Sequence, residues 1–369
     1  MKIGIISDVL NFKLTGIGNY TFQLIKGLNK TISGNKPILI NYTTHNLDLP
    51  NPNCLINNPF PINRTYFWYP YLTFKLAHHD FDIIHNPSQV PAFFRFPQPS
   101  VMTMHDITTF IVPGSHDFIT RINDRFLLKK TLTNVNCIIS DSYKTKEDLI
   151  RVFHLPSEKI FVIHIAADPT FKPLNQIQSY RSVGKISIPE KFILYTGTLE
   201  KRKNLLTLIQ AFYALKKEGI PHKLVLAGKC GNVKSELEIL LRNLKLSKDV
   251  IFTGYIPVED LLYLYNKADV FVYLSYYEGF GLPPLEAMAC GCPVVCSNSS
   301  SLPEVVGDAG ILVNPQSIEE VKNSIKKIIN DPELREIMSQ RSIERSLLFS
   351  WEKCARETYK VYKIAAGDS

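Results

Sequence analysis

Short apolar runs alternate with amphipathic stretches along the whole chain. In the first half the runs are KIGII, PILIN, DIIH, VMTM, CIIS and IFVIHI. In the second half they are FILYTGT, KLVLAG, VIFTG, VFVYLS, PVVCS and GILV. Continuous apolar strands that alternate with helices are typical of parallel sheets buried on both faces. The pattern therefore predicts an α/β protein in which two doubly wound parallel-sheet domains follow one another.

A polar, proline-containing stretch over residues 171–191 separates the two sets of strands. We predict a Rossmann-like N-terminal domain over residues 1–180 and a Rossmann-like C-terminal domain over residues 181–349. Open α/β sheets bind ligands beyond the carboxyl ends of their strands. A cleft between two such domains is therefore the expected ligand site.

The last helix, within residues 350–369, has an apolar face. Trp351, Ala355, Tyr359 and Tyr362 recur there at helical spacing. Either of the two domains could provide the surface that covers this face. The helix packs either on its own domain or back on the first one.

The composition fits two globular cores and narrows the class of partner. The chain has 369 residues, of which 45% are hydrophobic, and this length exceeds what a single ordinary core supports. The net charge of +8 suits an acidic ligand or an anionic membrane surface and falls short of a nucleic-acid-binding signature. No apolar stretch approaches the ~20 residues that cross a bilayer. The expected location is the cytoplasm, with the inner membrane face as a peripheral site.

Cysteine usage argues against a metal or disulfide framework. The seven cysteines are an odd number, and no Cys-x-x-Cys spacing occurs. Cys290 and Cys292 are one residue apart, which suits neither a zinc site nor a disulfide. We expect free thiols in a reducing compartment and no bound metal.

The stretch YYEGFGLPPLEAMACGCPVV, residues 276–295, carries the densest set of special residues. It follows the predicted strand VFVYLS, so Glu278 should lie at the carboxyl edge of the second sheet. Gly279 and Gly281 allow the backbone to approach a ligand closely. Pro283 and Pro284 suit the first turn of a helix, where a missing N–H is harmless.

The N–H groups of residues 279–282 should then face a ligand at the positive end of a helix dipole. That arrangement favours a diphosphate or a sugar hydroxyl. Glu286, in the first turns of the helix, complements the dipole and has the oxygens to accept two hydrogen bonds from a ribose diol. The alternative interpretation makes Glu286 a dipole-favouring acid and Glu278 an ordinary loop residue.

The block EGFGLPPLEAMACGCPVVCSNSSSLPEVVGDAGILVNP resembles the nucleotide-binding signature of the retaining glycosyltransferases of family 4. The family has the GT-B fold, which consists of two facing Rossmann-like domains with a central cleft. Its hallmark is a pair of glutamates with seven residues between them, and Glu278 and Glu286 match it. The resemblance is strongest over residues 190–315.

The resemblance implies a role for each part of this block. Glu286 would hold the ribose, and Glu278 would contact the transferred sugar near its anomeric carbon. The backbone amides of four consecutive residues would contact sugar and phosphate, namely Gly279, Phe280, Gly281 and Leu282.

A second matching stretch is LYTGTLEKRKNLLTLIQAF, residues 194–212, which reads as a strand, a turn at Gly197 and a helix that begins near Asn204. The resemblance implies that Arg202 and Lys203 bind the diphosphate and offset the charge of the leaving group. Some relatives have arginine directly after the glycine, where this chain has Thr198. Gly197 and Thr198 are expected beside the phosphates, with more of the contact left to Arg202.

In the first half, LTGIGNYTFQLIKGL places Gly16 and Gly18 ahead of an amphipathic helix. The pattern fails as a dinucleotide fingerprint, because Thr21 stands at the third glycine position. By resemblance this loop approaches the donor phosphate and the acceptor. The strand VMTM ends in His105 and Asp106, where the family has a histidine–aspartate pair. The resemblance implies that His105 is catalytic, contacting the sugar near the reacting centre, and that Asp106 binds substrate.

Two further strand ends carry weaker matches. Gly228 and Lys229 stand where relatives place base or phosphate contacts. Around Tyr255 and Ile256 the family holds the nucleobase through backbone groups. Both pairs are predicted substrate-binding residues.

The implied reaction is hexosyl transfer from a nucleotide-diphosphate sugar to a glycan or lipid-linked saccharide. Its transition state is oxocarbenium-like, with negative charge growing on the leaving diphosphate. The family retains the anomeric configuration without a metal or other cofactor, and no Asp-x-Asp follows a strand in this chain. The wording of the motifs resembles bacterial polysaccharide mannosyltransferases, so GDP-mannose is the expected donor.

A membrane contact is suggested by the aromatic and basic stretch over residues 62–81, which includes Arg64, Lys75, His78 and His79. Residues 120–130 add a second basic stretch. Core aromatics beneath a surface helix explain the first stretch equally well.

Three other functions compete with transfer. A nicotinamide dehydrogenase needs Gly-x-Gly-x-x-Gly directly after a strand, and neither half supplies it. A phosphorylase on the same two-domain scheme needs a pyridoxal phosphate lysine. A non-catalytic protein that binds nucleotide sugars or glycans could dispense with Glu278 or His105, and this chain has both.

Overall fold

The computed structural model describes residues 1–11, 16–32, 34, 36–41, 49–56, 65–89, 95–112, 127–174, 182–183 and 186–367, with backbone alone for 65–70 and 182–183. The chain divides into two compact units. The first unit is Met1–Ile165 together with Ser350–Ser369, and the second is Ala166–Phe349.

The first unit is built on one parallel sheet of seven strands in the order β3-β2-β1-β4-β5-β6-β7. The strands are β1 Ile3–Ile6, β2 Ile38–Asn41, β3 Asn53–Leu55, β4 Ile83–Asn86, β5 Ser100–Met104, β6 Cys137–Ser140 and β7 Ile160–Val162. Six of them fall on the predicted apolar runs. The seventh, β3, is a three-residue edge strand that exposes most of its surface, so it carries no apolar signal.

The helices of the first unit are α1 Gly16–Thr31, α2 Thr65–Leu76, α3 Thr108–Ile111 and α4 Tyr143–Phe153. Residues 127–134 are also helical. The core of the described residues includes one apolar cluster with Ile6, Ile40, Leu72 and Phe81 and another with Met102, Leu132, Ile138 and Phe153. Gly4 lies tightly in the first, because a Cβ there would come within 2.7 Å of Ile40.

The second unit has a parallel sheet of six strands in the order β12-β11-β10-β13-β14-β15. A short antiparallel pair precedes it, β8 Ser182–Val183 and β9 Ile186–Ser187. The sheet strands are β10 Phe192–Thr196, β11 Lys223–Ala227, β12 Val250–Gly254, β13 Val270–Tyr273, β14 Val294–Ser297 and β15 Ile311–Val313. All six match predicted runs, and a single apolar cluster surrounds the fully buried β10 and β13.

The helices of the second unit are α5 Leu205–Lys217, α6 Lys234–Asn243, α7 Val258–Lys267, α8 Leu282–Ala289, α9 Leu302–Val306, α10 Ile318–Asn330 and α11 Pro332–Ser346. In both sheets the strand order reverses beside the first strand, at β1–β4 and at β10–β13. Such a reversal is where open α/β sheets bind ligands.

The last helix, α12 Trp351–Ala366, belongs to the first unit and packs along α1. Gly27 of α1 makes this approach close, because a Cβ there would come within 2.8 Å of the Trp351 carbonyl oxygen. The buried face of α12 includes Trp351, Ala355 and Tyr362. Tyr359, which the spacing placed on that face, is only half-buried and lies beside Lys363.

The junction between the units precedes the predicted boundary at residue 180, because the chain joins the second unit from Ala166 onward. Phe171 lies in the apolar core of that unit. The backbone N–H of Leu174 donates to the Asn266 side chain, and Asn266 in turn donates to the Lys172 carbonyl. These contacts hold residues 172–174 against α7.

Candidate functional site

A cluster of charged side chains in the second unit lies at the carboxyl ends of β10 and β13. These two strands pair at the point where the strand order reverses. A single 3-10 turn after β10, Lys201–Lys203, presents Arg202 and Lys203, and the loop after β13 presents Glu278. Adjacent parallel strands end at one edge of a sheet, so the three side chains meet although 75 residues separate Lys203 from Glu278.

Glu278 receives two cations on one oxygen. The Lys203 Nζ lies 2.5 Å and the Arg202 Nη1 lies 2.9 Å from its Oε1 atom. The Tyr273 hydroxyl donates to the same oxygen at 3.0 Å, and it accepts from Lys203 at 2.5 Å. The arrangement is a closed cluster of a carboxylate, a guanidinium, an ammonium and a phenol.

The cluster fixes the charge of its members. Burial raises the pKa of Glu278, but the charges of Lys203 and Arg202 outweigh burial and hold the pKa at about 2. Burial is also the largest influence on Lys203, and it leaves the pKa of the ammonium below its usual range despite Glu278. For Arg202 burial is outweighed by Glu278, so the pKa of the guanidinium is raised. Glu278 is therefore ionised throughout the neutral range.

Arg202 and Lys203 are both engaged by the protein itself. Arg202 also contacts the Glu200 carboxylate at 3.0 Å and donates to the Tyr277 carbonyl at 3.1 Å. Lys203 is only 7% exposed. A diphosphate that binds here therefore shares these cations with Glu278.

Asn204 stands at the predicted helix start but does not cap it with its side chain. It has a left-handed backbone, with φ of 56°, directly before α5. Its amide donates to the Pro315 carbonyl at 2.6 Å, and its oxygen accepts from Thr207. Asn204 thus ties the turn that carries Arg202 and Lys203 to the loop after β15.

Two serines after β14 hold the backbone of the Glu278 loop. The Ser300 hydroxyl donates to the Glu278 carbonyl at 2.7 Å and accepts from the Glu278 N–H at 3.2 Å. The Ser301 hydroxyl is within 3.0 Å of the Glu278 carbonyl and 2.6 Å of the Phe280 carbonyl. Phe280 is itself buried, with its ring edge against Phe349. The loop is therefore fixed on both sides of Gly279.

Helix α8 begins where the prolines predict it. Gly281 precedes the helix with φ of 122°, and a Cβ there would meet Leu302 at 2.7 Å. Leu282 is the first helical residue, with Pro283 behind it. The first N–H groups of a helix have no intrahelical acceptor, so this end is suited to an anion.

Glu286 lies on α8, and a phenol contacts its carboxyl group. The Tyr265 hydroxyl donates to Glu286 Oε2 at 3.0 Å and is also 2.7 Å from the Thr196 hydroxyl. Burial raises the pKa of Glu286 to about 7; Asp168 adds to the rise and the Tyr265 hydrogen bond opposes it. At neutral pH this carboxyl is close to half protonated.

Gly197 and Gly228 lie where two loops touch. A Cβ on Gly228 would come within 2.0 Å of the Gly197 carbonyl oxygen, and both residues have positive φ. Only glycine fits such a contact without strain. Beside them the Tyr195 hydroxyl donates to the Thr198 carbonyl at 3.1 Å. The two glycines thus allow the loops after β10 and β11 to touch, beside the turn that carries Arg202.

The predicted base contacts stand at the ends of β11 and β12. Lys229 is exposed and places its ammonium 5.7 Å from the centre of the Tyr255 ring. Tyr255 is 54% exposed, whereas Ile256 packs on the core of the unit. An exposed ring beside a cation is suited to stacking on a base.

In the first unit, His105 follows β5 and is held from both ring nitrogens. Its Nδ1 atom lies 2.7 Å from Asp141 Oδ2, and its Nε2 atom lies 3.0 Å from the Pro87 carbonyl oxygen. Asp141 follows β6, the neighbour of β5. The neighbouring carboxylate of Asp106 instead accepts from the Thr108 N–H at 3.0 Å, at the start of α3.

Gly16 and Gly18 begin α1 rather than precede it. Gly16 is exposed, and a Cβ there would meet nothing within 4 Å. Gly18 is buried. The loop before them, residues 12–15, lies outside the described residues.

Several polar partners were not predicted from the sequence: Asp141, Tyr265, Tyr273, Ser300 and Ser301. A signal for Asp141 existed, because it directly follows the apolar run CIIS just as His105 follows VMTM. Buried tyrosines within strand and helix patterns carried no such signal. Arg64 and residues 120–126, part of the predicted membrane contact, lie outside the described residues.

Two family models cover most of the chain. "Glycosyltransferase Family 4" matches residues 14–171, and "Glycosyl transferases group 1" matches residues 176–345. The O-antigen chain mannosyltransferase B of Escherichia coli is 32% identical over 99% of this chain and 100% of that protein. The chain therefore belongs to the family 4 glycosyltransferases with the GT-B fold. Within that family it resembles the O-antigen mannosyltransferases.

Solved structures agree on the fold. Sucrose-phosphate synthase from Thermosynechococcus elongatus superposes with a TM-score of 0.76 over 100% of both chains, at 23% identity. The Anabaena protein HepE, in complex with UDP and glucose, gives 0.75 over 98% of this chain and 99% of that one, at 20% identity. Within the part of the chain that the structure describes, no helix has the length and apolar character of a membrane span.

Proposed function

We propose that this glycosyltransferase moves mannose from GDP-mannose to a glycan or lipid-linked saccharide, with retention of the anomeric configuration. The observation that carries the choice of sugar is the full-length likeness to the O-antigen chain mannosyltransferase B. The class of acceptor follows from the same likeness, because an O-antigen chain is a glycan. Nucleotide-sugar donors are supported by HepE, which was crystallised with UDP and glucose.

The cluster around Glu278 supplies the groups that such a transfer needs. Negative charge grows on the leaving diphosphate while positive charge grows on the sugar ring. Arg202 and Lys203 supply positive charge at the sheet edge, and Glu278 supplies an ionised carboxylate for the sugar. In a retaining transfer the acceptor hydroxyl attacks from the leaving-group face, and the leaving phosphate takes its proton.

We propose that the reaction uses no metal and no cofactor besides the donor itself. The two cations beside Glu278 provide the charge that a divalent ion provides in other transferases. Transfer should therefore proceed at the same rate in EDTA as in Mg²⁺. A rate that returns only when Mg²⁺ or Mn²⁺ is added contradicts this part of the proposal.

We further propose that the protein works in the cytoplasm, at the inner face of the membrane, where a lipid-linked acceptor is anchored. The end of α2 supports this, because Phe74 is 66% exposed beside the exposed Lys75. His78 and His79, just after the helix, are exposed as well. Sedimentation with vesicles of anionic lipid should retain the wild-type chain and release Phe74→Ser. Equal recovery of both proteins in the supernatant contradicts the membrane contact.

The donor is tested first by binding. Thermal unfolding is followed with GDP, UDP and ADP, because a ligand at ~100 times its dissociation constant stabilises the folded state by about 2.7 kcal/mol. We expect the largest shift with GDP. A larger shift with UDP or ADP would identify uridine or adenosine, rather than guanosine, as the nucleoside of the donor.

Transfer is tested next, with radiolabelled GDP-mannose and a purified lipid-linked glycan from a polymannose-producing bacterium. An α-linked product confirms retention, because the mannosyl group of GDP-mannose is itself α-linked. Glu259→Gln, on the exposed surface of α7, is the matched control for variants of the cluster. Tight GDP-mannose binding without transfer to any acceptor favours the alternative, a non-catalytic nucleotide-sugar-binding protein.

A further inference from the structure

His105 and Asp141 form a largely buried pair. The hydrogen-bond partners of the two ring nitrogens of His105 determine its protonation state. The His105 side chain is 14% exposed and that of Asp141 is 3% exposed. From this pair we infer that His105 is held as an imidazolium by Asp141 and Pro87, and that it serves the reaction through its positive charge rather than as a base. The inference about catalysis rests on the proposed function, whereas the protonation state does not.

The two partners of the imidazole ring are both acceptors. The Pro87 carbonyl oxygen, 3.0 Å from Nε2, accepts a hydrogen bond and never donates one. An ionised Asp141, 2.7 Å from Nδ1, is likewise an acceptor only. Both ring nitrogens must then carry hydrogen, which is the definition of the imidazolium form.

His105 is the group that can balance an ionised Asp141. Among the described residues, it is the one basic side chain within ion-pair distance of Asp141. A buried carboxylate without a counter-charge is expensive, so the positive charge of His105 stabilises it directly. Burial lowers the pKa of His105, but the charge and hydrogen bond of Asp141, together with Pro87, outweigh it and leave the pKa raised.

The other groups that face the pair act in the same direction or carry no charge. Asp106, on the same loop, adds negative charge near His105. A charged His85, on β4, would repel the positive charge of His105. Burial lowers the pKa of His85 to about 3, so His85 is neutral. Burial raises the pKa of Tyr20 and that of Cys354, so both stay uncharged beside Asp141.

The His105 ring is also held in place by Tyr20, which packs against it. Tyr20 of α1 sets its ring edge-on to His105, with 4.7 Å between ring centres. The Tyr20 hydroxyl is 3.0 Å from the Thr103 hydroxyl, which is 2.9 Å from His85 Nε2. The other nitrogen of His85 lies 2.6 Å from the Tyr362 hydroxyl of α12. Neutral His85 thus connects α12, through Thr103, to Tyr20, the residue whose ring packs against His105.

The consequence for the reaction is a division of roles. A ring with hydrogen on both nitrogens has no lone pair with which to accept the acceptor's proton. Its fixed positive charge instead acts electrostatically, by favouring negative charge that develops in the transition state. Asp141 is then a positioning residue, which holds the charge of His105 without contacting the donor.

The protonation state is measured directly by NMR on the whole protein labelled with ¹⁵N-histidine. His105→Gln identifies the signals of His105 among those of the nine histidines. We expect both His105 nitrogens to resonate in the protonated range at pH 8. An Nδ1 signal in the unprotonated range at that pH overturns the inference, because it means a neutral ring with the proton on Asp141.

Asp141→Asn tests the role of the pair. We expect kcat at pH 8 to fall by about tenfold or more with little change in KM, and the deficit to narrow at pH 6, where solution protons recharge the ring. An equal fractional loss at both pH values overturns the positioning role, since damage to the fold has no reason to follow the histidine. Asp82→Asn, an exposed carboxylate of the same unit, is the control.

A second variant guards against misfolding. If Asp141→Asn does not fold, Asp141→Glu replaces it and should restore most of the wild-type kcat with the same pH dependence. A folded Asp141→Glu protein that is as inactive at pH 6 as at pH 8 overturns the role. If no nucleotide sugar is transferred by the wild type, the proposed function fails, while the NMR result still decides the state of His105.

Discussion

Glu278 and Glu286 lie on one short stretch, in the loop after β13 and on α8, and their charges are set in opposite ways. Burial raises the pKa of both. Glu278 is contacted by two cations, and its pKa falls to about 2. Glu286 is contacted by a phenol and lies near Asp168, and its pKa rises to about 7. The partners, not the depth of burial, decide which carboxyl is charged.

The contrast gives the two carboxyls different behaviour in the neutral pH range. A permanently ionised Glu278 keeps Arg202 and Lys203 in place before any donor arrives. Glu286 can gain or lose a proton in the neutral range, so its capacity to accept hydrogen bonds depends on pH.

Glu278→Gln removes the negative charge that distinguishes Glu278 from Glu286. Transfer should fall by on the order of 10²–10³-fold, because the sugar loses an ionised carboxylate and the two cations lose their anchor. Buried Lys203 is left without its counter-charge, and breaking such a pair destabilises a protein by about 3–5 kcal/mol. Transfer assays and urea unfolding measure the two effects, with Glu259→Gln as control. Transfer at the wild-type rate would falsify the role of Glu278.

Lys203→Met should make Glu278 behave more like Glu286. Without the ammonium the pKa of Glu278 rises, so the ionised form is lost at a higher pH as the solution is acidified. We expect transfer at pH 8 to fall by about tenfold. At pH 5 the loss should be several-fold greater still.

A pH profile of kcat/KM between pH 5 and pH 8 measures the effect of Lys203→Met. Lys201→Met, an exposed lysine in the same turn, is the matched control. Parallel profiles for wild type and Lys203→Met would mean that Lys203 does not set the charge of Glu278.

Wild-type affinity for GDP should rise with pH through the pKa of Glu286. The folded-state pKa of about 7 lies above the ordinary value for glutamate, so the neutral carboxyl predominates below it and the carboxylate above it. If the carboxylate is the form that binds the ribose, affinity should be about tenfold weaker at pH 6 than at pH 8. Calorimetric titration with GDP measures this difference.

Two variants sharpen the test of Glu286. Glu286→Gln should bind GDP weakly with no dependence on pH in this range. Asp168→Asn should move the midpoint to lower pH, because Asp168 contributes to the raised pKa of Glu286. A pH dependence that survives in Glu286→Gln assigns the titration to another group.

Ser301→Ala should have the smallest effect. It removes hydroxyl contacts to the Glu278 and Phe280 carbonyls at a cost of about 1 kcal/mol of stability. Looser placement of the loop should lower kcat by a few-fold. Ser299→Ala, which changes a neighbour of the same type, is the control. Unchanged stability and kcat in Ser301→Ala would show that the loop is held without this hydroxyl.

The sequence pattern predicted twelve of the thirteen strands of the two parallel sheets and the start of one helix. Twelve apolar runs correspond to twelve strands, because a strand buried on both faces has to be apolar throughout. The short edge strand β3 was missed, since most of its surface faces solvent and it carries no apolar run. Pro283 and Pro284 gave the start of α8, because proline at the first turn is a local constraint.

Contacts across strands could not be read so directly. Asp141 meets His105 because Met104 pairs with Ser140, a register that only the assembled sheet defines. Lys203 pairs with Glu278 because β10 lies beside β13 rather than beside β12. The sequence placed Lys203 on a diphosphate, and the structure gives it an internal partner, which no local pattern records.

The last helix has a consequence for biosynthesis. The first unit is interrupted in the chain: α12 completes it only after residues 166–349 have been made. Domains usually fold in the order in which they leave the ribosome. Here the amino-terminal half must wait with the α1 surface at Gly27 uncovered, while the uninterrupted middle segment has everything it needs. The unit synthesised first is therefore the one finished last, and it is the more exposed to chaperones and proteases during translation.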